Sequence, residues 1–372
     1  MTKKIRVLQI THDLQIGGLQ QVVVNICRTI DRERFEVVVL CLRELGVLAG
    51  DIEMLGVKVI LLDQKESGTD YLSFMKIARV LKDEKIDVVH THNTQPFVEG
   101  AIASIFTSVK AIVHTDHARA FPDKRRYMFA EWLVSHLAYK VVGVSAHTTE
   151  NLHKYEKISK RKLLTIPNGI DETVYDIEID KNHKKQELGL DSDTFIIGLG
   201  ARLIEQKGIS VLIESMLKIL KKLPNTKLVI AGDGDYKAEL KKLADDLCLT
   251  ESVLFLGSRK DIPELLKIFD VYALPSYSEG LPMVILEAMA SGCPVVATDV
   301  GGIGTAIRSN VNGVLVKPRN VEDLAEAIID LLQDEHKRLK FSDNGKKIFA
   351  AEFSARKMIA KYEGLYVKGF SR

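Results

Sequence analysis

The sequence predicts an α/β protein of two doubly wound parallel-sheet domains, and three observations predict it. Short, continuously apolar runs bounded by Gly, Asp, Asn or His recur from end to end, as strands covered on both faces do. Helix-patterned segments lie between them, which makes β-α-β units. Thirteen such runs are more than one open sheet usually holds, and 372 residues are too many for one ordinary domain.

In the first half the runs fall at 5–10, 35–42, 57–62, 87–91, 111–115, 141–144 and 163–166. In the second half they fall at 195–199, 227–231, 253–256, 271–274, 294–298 and 314–316. After Pro167-Asn168-Gly169, read as a turn with hinge geometry, comes a charged stretch with Asp176, Lys181, His183, Lys184 and Lys185. The expected layout is a first domain over 1–172, a linker over 173–193, a second domain over 194–352 and a terminal helix over 353–372. That helix places Met358, Ile359, Tyr362 and Leu365 on one apolar side. No repeat and no low-complexity segment interrupts the pattern.

Apolar residues at 46% and charged residues at 27% are ordinary for a globular chain with sizeable cores. The net charge of +2, from 52 basic and 50 acidic side chains, argues against nucleic acid as a partner, which a basic footprint would announce. Cys27, Cys41, Cys248 and Cys293 are scattered without metal-ligand spacing. They are expected as buried or half-buried thiols in a reducing compartment. Residues 1–10 read as a first strand and not as a leader, and no window of about 18 apolar residues predicts a membrane span. A cytoplasmic location is expected, with peripheral contact at the inner face of the membrane left open.

The most informative segment runs from Pro275 to Pro294. A strand ends at Pro275, a polar loop carries Glu279, Gly280 and Leu281, and Pro282 suits the first turn of a helix that holds Glu287 and stops at Ser291-Gly292. In an open α/β sheet ligands sit beyond the carboxyl ends of strands, where this loop lies. A helix start offers free N–H groups to a diphosphate. The two glutamates stand roughly 8–10 Å apart along the helix axis, a span that suits two hydroxyl clusters of one extended ligand. A helix-capping Glu279 and a surface-paired Glu287 account for the spacing as well.

This segment resembles the E-x7-E motif of the family 4 retaining glycosyltransferases. The resemblance implies the GT-B fold, two Rossmann-like domains facing a central cleft, with the last helix crossing back to the first domain. It implies that Glu279 holds the transferred sugar and Glu287 the ribose hydroxyls. Other residues fall in the family's order. Arg202 and Lys207, after the first strand of the second half, are implied as contacts to the donor phosphates. As residue types, both suit a diphosphate whose charge grows as it leaves. Gly17 and Gly18 open a helix near the first strand, where glycine lets backbone approach a ligand. The family's Glu two residues on is replaced here by Gln20.

Four histidines, His90, His92, His114 and His117, end two neighbouring strand runs. They invite a zinc assignment, but the family carries one histidine here that lines the sugar pocket. His117 fits that place, with His114 the alternative, while His90 and His92 are expected as structural. Asp233-Gly234-Asp235 resembles a metal-binding DxD but follows a strand as a turn, with a capping role for either aspartate. No metal and no cofactor is therefore expected. Gly232, Gly280 and Leu281 complete the expected donor-binding set. Arg119, Lys124, Arg125 and Arg126, followed by Tyr127, Met128, Phe129 and Trp132, fit a face toward acceptor or membrane, or a loop leading into a core helix.

The expected activity is transfer of a sugar from a nucleotide-diphosphate donor, UDP favoured, to a hydroxyl of a glycan or lipid-linked acceptor, with retention of configuration. A nucleotide-sugar epimerase and a non-catalytic nucleotide-sugar-binding protein share the architecture and remain alternatives. A dehydrogenase fits less well, because Gly198-Leu199-Gly200 lacks the third glycine of the dinucleotide fingerprint.

Overall fold

The computed structural model describes residues 3–62, 72–117 and 122–372. It forms two compact units, Met1–Ile170 with Ala355–Arg372, and Asp171–Ser354. The first holds a seven-stranded sheet: β1 Ile5–Thr11, β2 Phe35–Cys41, β3 Lys58–Leu61, β4 Val88–His92, β5 Ala111–Asp116, β6 Lys140–Gly143 and β7 Leu163–Thr165. The second holds six strands: β8 Phe195–Gly200, β9 Thr226–Ala231, β10 Val253–Gly257, β11 Val271–Leu274, β12 Val295–Thr298 and β13 Gly313–Val316. Every pairing is parallel. The strand orders are β3-β2-β1-β4-β5-β6-β7 and β10-β9-β8-β11-β12-β13. Each chain path reverses direction once, between β1 and β4 and between β8 and β11, and those gaps are where such sheets take ligands.

Burial explains why the strands read as they do. Val7, Leu8 and Ile10 of β1, and Ile196, Ile197 and Leu199 of β8, are all fully buried, because helices cover both faces. At Gly198 the reason for glycine is packing, since a Cβ would stand 1.9 Å from the Phe269 ring.

The stretch 173–193 is not an open linker. It contains a helix, Lys181–Glu187, which belongs to the second unit. Its Lys184 is buried against Asp261 at 2.7 Å and Glu264 at 2.5 Å. The helix Ala355–Phe370 belongs to the first unit, with Met358, Ile359, Tyr362 and Leu365 all buried. Asn168 and Gly169 form no left-handed turn, as neither has a positive φ. Gly169 is instead docked by its N–H on Met358 Sδ and by its carbonyl on Asn25. Three cysteines are buried, but Cys248 is exposed, at a left-handed position (φ 56) just past a helix. No helix among the described residues is long and apolar enough to cross a membrane.

Candidate active site

The second unit's site grows from the loops that leave β8 and β11. After β8 the chain makes a short turn, Glu205–Lys207, and enters the helix Ile209–Lys222 through Gly208 at φ 62. A Cβ on Gly208 would stand 2.2 Å from the Pro275 carbonyl oxygen, so glycine permits the two loops to touch. Two further bonds sew them together: Tyr277 N–H donates to the Gln206 carbonyl at 2.8 Å, and Gln206 Nε2 donates to the Ser278 carbonyl at 3.1 Å. Beneath them the buried Tyr272 hydroxyl donates to the Gly200 carbonyl at 2.8 Å.

That stitching brings Lys207 Nζ to 2.6 Å from Glu279 Oε1, and Ser276 Oγ donates to the same oxygen at 2.6 Å. Glu279 is thus no helix cap. The helix Met283–Ser291 starts after Pro282, which takes the cap position without a side-chain bond. Arg202 is exposed, and it does not join the Lys207–Glu279 pair. The loop holding Gly232 lies against the Arg202 loop so closely that a Cβ on Gly232 (φ 144) would meet the Ala201 carbonyl oxygen at 1.9 Å. Asp233 accepts from Gly234 N–H at 2.9 Å and from Lys237 Nζ at 2.8 Å, which accounts for it as a turn residue. Gly280 and Leu281 are buried between Glu279 and the helix.

Glu287 stands apart from Glu279 and has its own partner, the Tyr175 hydroxyl. Burial pushes its carboxyl up from the ordinary 4.5 to about 7, with the Tyr175 bond acting in the opposite direction. Folding therefore favours the protonated form, a contribution complete below about pH 4.5 and lost as pH rises through about 7. The chain's urea midpoint should fall across that window by the equivalent of roughly 2 kcal/mol more than in Glu287→Gln. Parallel pH profiles for the two proteins would contradict this.

In the first unit Gly17 caps the helix Gly18–Thr29 in extended backbone. Gln20 turns back to give its amide to Asp13 at 2.8 Å, and a Cβ on Gly17 would meet the Gln20 side chain at 2.4 Å. His117 follows β5 directly, its N–H on Asn93 Oδ1 at 3.1 Å and its ring 2.9 Å from His92 Nδ1. His114 packs elsewhere, stacked on Phe97 at 3.9 Å and bonded to Thr91. His90 and His92 are buried and fully hydrogen-bonded. The four histidines thus form no common ligand set. His114, Asp116 and Glu131 do place one ligand atom each within 4.8 Å of one another, and each has further interactions of its own.

The basic and aromatic stretch divides. Arg119 lies outside the described residues; Lys124 precedes the helix Arg125–Ser135. On that helix Phe129 and Leu133 are 62% and 55% exposed while Glu131 is buried. Sequence reading missed Ser276, Tyr175 and Gly301. Ser276 stood in plain view three residues before Glu279, whereas the other two reach their partners only through the fold.

Comparison with known proteins agrees with this architecture. Residues 16–174 match the family described as Glycosyltransferase Family 4, and residues 180–348 match Glycosyl transferases group 1. An uncharacterized glycosyltransferase of Methanocaldococcus jannaschii is 33% identical over 74% of this chain and 73% of its own length. The chain belongs to the family 4, group 1 glycosyltransferases. The transferase is also 28% identical, over 98% of its length and 97% of the relative's, to an Escherichia coli enzyme named UDP-Gal:alpha-D-GlcNAc-diphosphoundecaprenol alpha-1,3-galactosyltransferase. Among solved structures, Anabaena HepE in complex with UDP and glucose superposes with a TM-score of 0.86 at 25% identity, covering 97% of this chain and 98% of that one. The two sheets of the transferase are those of the GT-B fold.

Proposed function

We propose that the transferase moves a sugar from a UDP-sugar to a hydroxyl of a lipid-linked saccharide, retaining the anomeric configuration. The observation that carries this reading is the Lys207–Glu279 pair at 2.6 Å, set where β8 and β11 diverge and beside the start of the helix Met283–Ser291. A cation and free helix N–H groups suit a diphosphate leaving group, and the carboxylate suits sugar hydroxyls. Arg202, exposed and close to the Gly232 turn, is a second cation for the phosphates. Glu287 takes the ribose hydroxyls, and His117 takes a hydroxyl of the sugar.

The step balances as follows. The bond from the anomeric carbon to the diphosphate oxygen breaks, its electron pair staying on the phosphate. The acceptor oxygen bonds to that carbon on the same face, and its proton passes to the departing diphosphate. Lys207 and Arg202 stabilise the charge that builds there. No metal is required in this reading. UDP is favoured because the Escherichia coli relative is named for UDP-Gal and HepE was solved with UDP. A lipid-linked acceptor is favoured by that relative's name and by the exposed Phe129 and Leu133 beside Lys124, Arg125 and Arg126. Basic and apolar side chains on one helix suit a peripheral membrane contact.

A calorimetric panel of nucleotide sugars, followed by product analysis by NMR with undecaprenyl-diphosphate saccharides, tests the reading. The expected product keeps the donor's anomeric configuration, and added chelator leaves the rate unchanged. An inverted product, a new sugar nucleotide formed without acceptor, or activity restored only by manganese would each reject the corresponding part.

A further inference from the structure

The buried histidines of the first unit belong to one continuous hydrogen-bonded chain. Gln9 Nε2 lies 3.3 Å from the Tyr366 hydroxyl, and Gln9 Oε1 lies 2.9 Å from His92 Nε2. His92 Nδ1 in turn lies 2.9 Å from His117 Nε2. On the other side of Tyr366, its hydroxyl is 2.7 Å from His90 Nδ1, and His90 Nε2 is 2.8 Å from Thr115 Oγ1. Thr115 Oγ1 closes the chain 3.0 Å from the Tyr362 hydroxyl. Both tyrosines come from the helix Ala355–Phe370.

Burial lowers all three ring pKa values, that of His117 to about 3. Each ring is therefore neutral near pH 7 and owns one N–H and one lone pair. Only two directions then satisfy every bond. In the first, Gln9 donates to Tyr366 and accepts from His92, so His92 Nδ1 is a lone pair that must accept from His117 Nε2–H. That leaves His117 Nδ1 as a bare acceptor. In the second, every bond reverses and His117 Nδ1 carries the hydrogen. His117 Nδ1 is enclosed and has no hydrogen-bond partner among the described residues. An orphaned buried N–H is rarer than an under-used acceptor, which selects the first direction. The Gln9 amide, with its nitrogen toward Tyr366, agrees with it.

We propose that Gln9 and Tyr366 are positioning residues which, through His92, hold His117 in the Nε2–H tautomer, so that Nδ1 offers its lone pair to a sugar hydroxyl. The sugar rests on the proposed function; the tautomer stands without it. The opposite tautomer would present a donor and engage only the oxygen of that hydroxyl, so the chain of bonds decides how the hydroxyl is read.

Long-range proton–nitrogen NMR of the full chain labelled with 15N-histidine tests this near pH 7. His117 Nδ1 should resonate as the unprotonated nitrogen. In Gln9→Met and in Tyr366→Phe both His117 nitrogens should move toward the averaged positions of a tautomer mixture. A protonated Nδ1 in the wild type would overturn the proposal, and so would an unchanged His117 pattern in whichever variant folds. Calorimetry separates the two layers of the argument. Gln9→Met should weaken UDP-galactose about fivefold and leave UDP unchanged, and equal weakening of both would mark Gln9 as merely structural. A wild type that binds neither ligand would reject the donor reading and leave the tautomer to the spectrum.

Discussion

Lys207→Met is expected to lower kcat by roughly 10²–10³, the usual cost of removing one group aimed at developing transition-state charge. The ammonium sits 2.6 Å from Glu279 Oε1 with both side chains largely shielded from water. A purely structural pair would predict lost stability, since deleting one partner strands the other's charge. The two roles separate in Lys207→Met/Glu279→Gln, which carries neither charge. Its unfolding midpoint should recover toward the wild type while its rate stays low. Affinity for UDP should drop more than affinity for uridine, because the lost cation faces the phosphates. Recovery of the rate in the double variant would reduce Lys207 to a strut.

The sequence discloses the sheets almost completely, and the reason is physical. Parallel strands covered on both faces need apolar side chains at nearly every position, so β1, β4, β8 and β11 stand out as unbroken runs. The Glu279 loop is legible for a related reason, since a strand end, a Pro and a helix stop at Gly292 (φ 76) follow one another locally. What is not legible depends on contacts far apart in the chain. Lys184 looks like a solvated linker charge until Asp261 and Glu264 arrive to bury it. Tyr366 looks like one more apolar position of a helix until its hydroxyl meets His90. Glu287 looks like a surface carboxylate until Tyr175 and the surrounding core enclose it.

Gly301→Ala should be the most damaging change that removes no functional group. Gly301 sits at φ 57 in the turn after β12, and a Cβ there would stand 1.8 Å from the Glu279 carbonyl oxygen. The next residue, Gly302, donates its N–H to that same carbonyl at 3.3 Å, so this turn is the floor on which Glu279 rests. Neither partner can yield cheaply, because both atoms in conflict are backbone and Glu279 is already held by Lys207 and Ser276. The turn must open or the Glu279 loop must move by an ångström or more, and a displacement of that size costs about 10² in rate. Left-handed strain adds about 1 kcal/mol of instability. Gly189→Ala separates the two effects, for Gly189 has nearly the same conformation (φ 71) with open space where its Cβ would go. It should lose stability alone and keep its kcat. Equal rates in the two variants would mean that the turn does not position Glu279.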